Sequence, residues 1–127
     1  MNTNRFNLNE NGLAQKFKFR YQNRFISIPV EQISHLEGDC NYTLVYTKTN
    51  RKFVTAYTLK NFENILDKQK FVRVHKSHIV NLNCIEQIDL QKYSGEIKLN
   101  CGRHLEVSRR KLKNLTDKID KYNIKPM

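Results

Sequence analysis

Phe71-Val72-Arg73-Val74-His75-Lys76-Ser77-His78-Ile79-Val80-Asn81-Leu82 is the most distinctive stretch of this chain. It begins as a short strand, passes through a basic loop that carries a hydroxyl group, and then becomes apolar again. Arg73, His75, Lys76 and Ser77 give the loop cationic and neutral hydrogen-bond donors. Such donors suit phosphate oxygens and the edges of bases. A basic loop at a strand end is usually just solvated, so this stretch needs support from the rest of the chain.

Short alternating segments surround this stretch on both sides. Residues 16–21 place aromatic side chains on one face and basic side chains on the other, as a half-buried strand does. Further strand-like runs cover residues 25–28, 33–37, 42–47, 52–57, 85–90, 96–99 and 104–107. Turn signals such as Gly38-Asp39 and Ser94-Gly95 separate these runs. Many short strands with such punctuation indicate an antiparallel sandwich or barrel.

Two segments have helical periodicity instead. Thr58 is predicted to cap a helix that runs to about Asp67, and Ser108 to cap a second helix that runs to about Tyr122. Residues 1–14 are polar and show no period, so they are predicted to be an N-terminal tail or linker. The remaining residues, 15–127, are predicted to form a single domain.

The charge balance points to a polyanionic partner. The chain has 127 residues with 23 Lys and Arg against 12 Asp and Glu, a formal net charge of +11. Nucleic acid is the commonest partner of so basic a domain, and an anionic membrane surface is the rival. No apolar run approaches the roughly 20 residues needed to cross a bilayer, and no apolar segment follows the first residues as in a signal peptide. The expected location is therefore cytoplasmic, with no membrane partner.

Two further stretches carry groups suited to DNA. In Val107-Ser108-Arg109-Arg110-Lys111, three cations follow a predicted helix start, a crowding that a phosphate anion would relieve. In Glu37-Gly38-Asp39-Cys40-Asn41-Tyr42-Thr43, a glycine-containing turn presents an asparagine that can bond to adenine in a bidentate manner. Each stretch alone is compatible with an ordinary helix start or turn.

Catalytic and metal chemistry find little support. The three cysteines are an odd number without C-x-x-C spacing, and they are predicted to be small buried side chains in a reducing cytosol. His75 and His78 are spaced as in some metal sites, but they lie in a predicted loop rather than on a helix. The carboxylates are scattered, and no glycine-rich phosphate loop occurs. We therefore expect no enzyme activity, no metal and no cofactor.

Taken in order, the motifs resemble the LytTR family of bacterial DNA-binding domains over about residues 24–122. The motifs are Val30 to Glu37, Asn41-Tyr42-Thr43, Thr58 to Leu66, Phe71 to Leu82, and Val107 to Arg110. The chain departs from the family pattern at Glu31, where an aspartate is usual, and at His35, where an aromatic residue is usual. These departures concern packing rather than DNA binding.

The resemblance implies a fold and a function. The fold would be mainly β, an elongated stack of small antiparallel sheets of about ten strands with one short internal helix and a C-terminal helix. The function would be transcription regulation through imperfect direct repeats in promoters, with loops inserted into successive major grooves. The partners would be double-stranded DNA, a second copy on an adjacent repeat, and a receiver domain or other regulatory protein.

The resemblance also assigns candidate site residues by position. The residues expected to read bases are Asn41 or Tyr42 in the first loop, Lys76 in the second, and Arg109 or Arg110 in the third. The residues expected to contact phosphate or support the loops are Thr43, Arg73, His75, Ser77 and Ser108.

Two alternative functions remain open at the level of sequence. An RNA-binding module would stack bases on exposed aromatic residues, for which Phe17, Phe19 and Tyr21 form a candidate stripe. A stripe with a period of two is more often part of a core. A protein-docking regulatory module would use residues 1–21 as its docking segment.

Overall fold

Three small sheets and two short helices make up the computed structural model, which describes residues 5–127 and, within them, all side chains except those of residues 5 and 19–21. The strands are β1 (Arg5–Leu8), β2 (Ala14–Tyr21), β3 (Arg24–Pro29), β4 (Ile33–Asp39), β5 (Tyr42–Thr47), β6 (Lys52–Thr55), β7 (Phe71–His75), β8 (His78–Asn81), β9 (Ile85–Leu90), β10 (Gly95–Leu99), β11 (His104–Val107) and β12 (Lys125–Pro126). The helices are α1 (Leu59–Ile65) and α2 (Leu112–Ile119). The predicted fold class, mainly β with an internal and a C-terminal helix, is confirmed.

The strands are arranged in an N-terminal, a central and a C-terminal sheet. Their strand orders are β1-β2-β3, β6-β5-β4-β8-β7 and β11-β10-β9-β12, respectively. The pairings are antiparallel except that the two-residue strand β12 runs parallel to β9. Most neighbours are hairpin partners, so short turns do most of the connecting.

Two hydrophobic cores lie on opposite faces of the central sheet. The first is formed with the N-terminal sheet and α1, and the second with the C-terminal sheet and α2. Because successive strand residues point to opposite faces, Ile79 joins the first core and its neighbour Val80 joins the second. Strand β8 is therefore buried on both faces and lacks the alternation that would have predicted it as a strand.

Strand β1 lies within the segment that the sequence predicted to be a tail or linker. Its Phe6 pairs with Phe17 across the N-terminal sheet, and the two rings are 5.6 Å apart. The Phe6 ring also lies 4.7 Å from that of Tyr57, at an edge-to-face angle. Residues 5–8 thus contribute a strand and an aromatic side chain to the fold. Of the predicted aromatic stripe, Phe17 is buried, and the side chains of Phe19 and Tyr21 lie outside the described residues.

One predicted helix start is confirmed and the other is wrong. The Thr58 hydroxyl accepts a hydrogen bond from the Asn61 backbone N–H at 3.3 Å, so Thr58 caps α1. Ser108 makes no side-chain cap, and a 3-10 turn over Arg109–Lys111 precedes α2. That turn separates Ser108 from Leu112, where α2 begins, so Ser108 is not at the start of the α-helix. Its backbone N–H donates to the Val74 carbonyl of the neighbouring strand, and its carbonyl accepts from the Lys111 backbone N–H at 2.9 Å.

The prediction that all three cysteines are buried is also wrong. Cys84 is buried, whereas Cys40 and Cys101 are exposed. Both exposed cysteines lie in turns, between β4 and β5 and between β10 and β11, where the chain reverses outside either core.

Candidate nucleic-acid interface

The turn between β4 and β5 and the turn between β7 and β8 lie side by side at one end of the central sheet. Strand β4 runs antiparallel to β8, so the end of β4 lies next to the start of β8. Just beyond their last pair, the Gly38 backbone N–H donates to the Ser77 carbonyl at 2.8 Å. Main-chain pairing therefore holds residues 39–42 beside residues 75–78.

The third segment, residues 108–111, lies at the same end of the sheet. The Ser108 backbone N–H donates to the Val74 carbonyl at 2.8 Å, and Val74 directly precedes the last residue of β7. The 3-10 turn Arg109–Lys111 follows at once. The structure thus places residues 39–42, 75–78 and 108–111 in one row, which we call the loop edge. These are the three stretches that the sequence singled out.

The predicted base-reading side chains are all exposed at the loop edge. They are Asn41, Tyr42, Lys76, Arg109 and Arg110. Within the part of the chain that the structure describes, none of the three cations among them forms an ion pair with an acidic side chain. They therefore present uncompensated positive charge to solvent.

Arg73 braces the second turn. Its Nε donates to the His75 carbonyl at 3.3 Å, and its Nη2 donates to the Lys76 carbonyl. Its Nη1 bonds to the Glu63 carboxylate at 3.1 Å, which ties the turn to α1. A guanidinium so engaged fixes the backbone that carries Lys76. This geometry favours the loop-support role over phosphate contact for Arg73.

The other predicted support residues also make internal contacts. Thr43 is fully buried, and its hydroxyl donates to the Tyr57 carbonyl at 2.6 Å. The His75 Nδ1 accepts from the Ser77 backbone N–H at 3.2 Å. Ser108 is half-buried and engaged through its backbone. The structure therefore brings all five support candidates to the loop edge, with Thr43 inaccessible to a ligand.

A polar cluster that the sequence did not predict lies behind the loop edge. Glu37 bonds to Arg103, and the Glu37 Oε1 atom is 3.4 Å from the His78 Nε2 atom. The Arg103 guanidinium lies 5.0 Å from the centre of the Tyr46 ring, which stacks on His35 with ring centres 4.3 Å apart. Sequence reasoning could note the unusual His35. It could not find its neighbours, because Glu37 and Arg103 are 66 residues apart in the chain.

The turn between β9 and β10 was also missed. Its Tyr93 is exposed, and the Arg109 guanidinium carbon lies 4.5 Å from the centre of the Tyr93 ring. The sequence signal that could have indicated this turn is the lysine next to an aromatic residue, Lys92-Tyr93. The contact with Arg109 makes this turn a neighbour of the third segment.

Metal sites, membrane-spanning helices and clefts are the other features of the described residues that would bear on function. No group of three or more His, Cys, Asp or Glu side chains among residues 5–127 is placed to hold a metal ion. No helix in that range is long and apolar enough to cross a membrane. A cleft of about 670 Å³ opens between the N-terminal and central sheets, beside Lys48, Phe71 and Asn81. These residues lie at the opposite end of the central sheet from the loop edge.

Comparison with known proteins agrees with this geometry. The profile of the family described as LytTr DNA-binding domain matches residues 23–120. A solved LytTr DNA-binding domain from Bacillus cereus has the same fold, with a TM-score of 0.75 at 23% sequence identity, covering 84% of this chain and 98% of that one.

Curated relatives are regulatory proteins. A response regulatory protein of Vibrio cholerae is 31% identical over 79% of this chain, and one of Yersinia pestis is 26% identical over 76%. The heme-containing CO-sensing transcriptional regulator RcoM 1 of Paraburkholderia xenovorans is 33% identical over 56% of this chain. The chain spans only 41%, 40% and 27% of the lengths of these three proteins, respectively. The family match covers most of the chain, and the chain therefore belongs to the LytTR family of DNA-binding domains.

Proposed function

We propose that this domain regulates transcription by binding duplex DNA sequence-specifically, with the loop edge facing the major groove. The observation that carries the proposal is the alignment of three separate segments in one row with five exposed candidate side chains. The major groove is about 12 Å wide and displays a different donor and acceptor pattern for each base pair. A row of turns braced from behind can present side chains to that pattern without first being ordered.

The proposal divides the loop edge into reading and supporting residues. Lys76 and a third-segment arginine are suited to the O6 and N7 acceptors of guanine, and Asn41 to adenine. Tyr42 is the second candidate in the first turn. The supporting residues set the positions of these side chains, as Arg73 does by bonding two carbonyls of the turn that carries Lys76.

The proposal extends to how the domain is deployed. Direct repeats relate two copies by translation along the duplex rather than by a two-fold axis. Imperfect direct repeats would therefore place two copies head to tail on one face of the duplex. The relatives named as response regulatory proteins are more than twice as long as the matched region. A receiver or other sensing domain would then supply the signal that this domain converts into promoter binding.

An RNA-binding function has less support. Of the stripe that would stack bases, Phe17 is buried in the first core and packs against Phe6 and Phe62. Base stacking requires an accessible ring. The side chains of Phe19 and Tyr21 lie outside the described residues and carry no argument.

The affinity for duplex DNA is expected to fall steeply with salt. If the loop edge and its flanks neutralise about five phosphates, the logarithm of the binding constant should fall against the logarithm of salt concentration with a slope near −4 to −5. Fluorescence anisotropy from low to physiological salt measures this slope. An affinity for duplex that does not change with salt would contradict the prediction.

Lys76→Ala and Arg110→Ala are each expected to relax the preference at one or two base pairs. A cation that bonds to O6 and N7 of guanine contributes about 1–3 kcal/mol of discrimination against the wrong base. Selection from random duplexes, followed by sequencing, gives a binding-site logo for each variant. Each logo should flatten locally, while binding to non-cognate duplex is largely kept.

Ser77→Ala is the matched control, because its contacts to the neighbouring turn are made through the backbone. Its logo should resemble that of the wild-type domain. If Lys76→Ala and Arg110→Ala each weakened binding to cognate and random duplexes equally, the loop edge would bind DNA without sequence specificity.

A further inference from the structure

A fourth turn continues the loop edge beyond the third segment. Residues 91–94 connect β9 to β10, and the Gln91 backbone N–H donates to the Ser94 carbonyl at 2.8 Å. The next residue, Gly95, pairs with Val107, the last residue of β11. The fourth turn therefore lies directly beside the place where the chain leaves β11 for the Arg109–Lys111 turn.

Two cations share one aromatic ring at this position. The Arg109 guanidinium carbon lies 4.5 Å and the Lys92 ammonium nitrogen 5.3 Å from the centre of the Tyr93 ring. Both distances are within the range of about 6 Å at which a ring attracts a cation. Tyr93 is 57% exposed, so the arrangement faces solvent rather than the core.

This pair of charges is not neutralised by the protein. Neither Lys92 nor Arg109 forms an ion pair with an acidic side chain among the described residues. The nearby Asp89 accepts a hydrogen bond from the Gln91 side chain at 2.7 Å. Two cations beside one ring raise the local positive potential, and an anion bound there lowers it. A phosphate oxygen accepts hydrogen bonds from both ammonium and guanidinium groups.

We propose that Lys92, Tyr93 and Arg109 form a phosphate clamp at the outer end of the loop edge, which holds one phosphodiester of the bound duplex. The Tyr93 ring keeps the Arg109 guanidinium turned toward the fourth turn and so toward the DNA backbone. Arg110, which lies over no aromatic ring among the side chains that the structure describes, is then the base-reading residue of the third segment. This inference rests on the proposed function and separates the roles of two adjacent arginines that sequence alone left equivalent.

The salt dependence of binding tests the clamp. The probe is the duplex selected by the wild-type domain, and its affinity is measured by anisotropy over a range of salt concentrations. Lys92→Gln and Arg109→Gln should each lower the magnitude of the salt slope by about one, because each loses one phosphate contact. Their binding-site logos should equal that of the wild type.

Matched controls come from the opposite end of the central sheet. Arg51 is an exposed arginine that also lies over an aromatic ring, 4.9 Å from the centre of Phe53, and Lys52 is an exposed lysine beside it. Arg51→Gln and Lys52→Gln remove the same charges from a site remote from the loop edge. Both variants should keep the wild-type salt slope.

The positioning role of Tyr93 needs its own variants. Tyr93→Leu should reduce the magnitude of the salt slope partway toward that of Arg109→Gln. Tyr93→Phe keeps the ring and should have the wild-type slope. Single phosphates of the duplex can also be replaced by neutral methylphosphonates, and among the replacements that weaken wild-type binding one should fall at the phosphate that the clamp holds. The same replacement should have little further effect on the Lys92→Gln and Arg109→Gln variants.

The results distinguish the clamp from the proposed function. Local flattening of the Arg109→Gln logo with an unchanged salt slope would overturn the clamp and make Arg109 a base reader. Wild-type slopes in both Lys92→Gln and Arg109→Gln would overturn the clamp while leaving DNA binding intact. A wild-type domain that selects no duplex would overturn the proposed function, and the clamp with it.

Discussion

Phe62→Ala is expected to lower the free energy of unfolding by about 3–5 kcal/mol, the usual cost of removing a buried phenylalanine side chain. Phe62 is fully buried on α1 in the first core. Its ring centre lies 5.7 Å from that of Phe6, 5.9 Å from that of Phe17 and 5.9 Å from that of Tyr57. These aromatic neighbours belong to separate segments, so the cavity cannot be closed by the shift of one of them.

Urea unfolding followed by circular dichroism measures this loss. Phe25→Ala is the matched control, since Phe25 is 65% exposed and its removal should change stability by less than about 0.5 kcal/mol. A Phe62→Ala variant no less stable than Phe25→Ala would contradict the packing described for the first core.

A double-mutant cycle extends the test to the N-terminal strand. Phe6 and Phe62 should show a coupling energy of about 0.5–1.5 kcal/mol, as expected for aromatic rings in contact. A coupling of zero would mean that residues 1–14 behave in solution as the tail or linker that their sequence predicted.

Stability is also expected to fall by up to about 3 kcal/mol as the pH drops from 6.5 to about 4, through His35 alone. The pKa of His35 is lowered from 6.5 to about 4, chiefly by burial and less by the nearby Arg103 and His78, while Glu37 acts in the opposite direction. His35 is 1% exposed. Among the described residues, its Nε2 has no hydrogen-bond partner and its Nδ1 lies 3.2 Å from the Ser34 hydroxyl. The folded protein therefore disfavours the imidazolium.

The sign of the effect follows from proton binding. Between pH 6.5 and about 4 the unfolded chain holds a proton on His35 and the folded chain does not. Acid therefore favours the unfolded state in this window, and the contribution of neutral His35 is fully present only above the unfolded pKa.

His35→Phe isolates this contribution. The phenyl ring can keep the stacking on Tyr46, whose ring lies 4.3 Å from that of His35 and nearly parallel to it. Other titrating groups act in both proteins, so the difference in unfolding free energy between wild type and variant removes their effect. That difference should be constant above pH 7 and should grow in favour of the variant as the pH falls toward 4. A difference independent of pH would show that His35 is protonated in the folded domain as readily as in the unfolded chain.

The sequence by itself determined most of the strands and the identity of the three loop segments. Strand β5 begins and ends where the alternation from Tyr42 to Thr47 predicted, and Thr58 caps α1 as predicted. Alternation, turn residues and caps are local signals, since they depend on residues a few positions apart. The family motifs are local in the same sense, which is why the matched region could be recognised before the fold was known.

The tertiary structure decided what depends on contacts between distant residues. Strand β8 is buried on both faces and so carries no alternation, and Ser108 bonds to Val74 through its backbone and is separated from α2 by a 3-10 turn. The same holds within the site, where Thr43 proves to be buried and Arg109 lies over the ring of Tyr93. Backbone hydrogen bonds, burial and ring contacts of this kind join segments that the chain order keeps apart. For that reason the sequence could predict which residues belong to a candidate DNA-binding surface, but only the folded arrangement shows which of them are exposed and which make internal contacts.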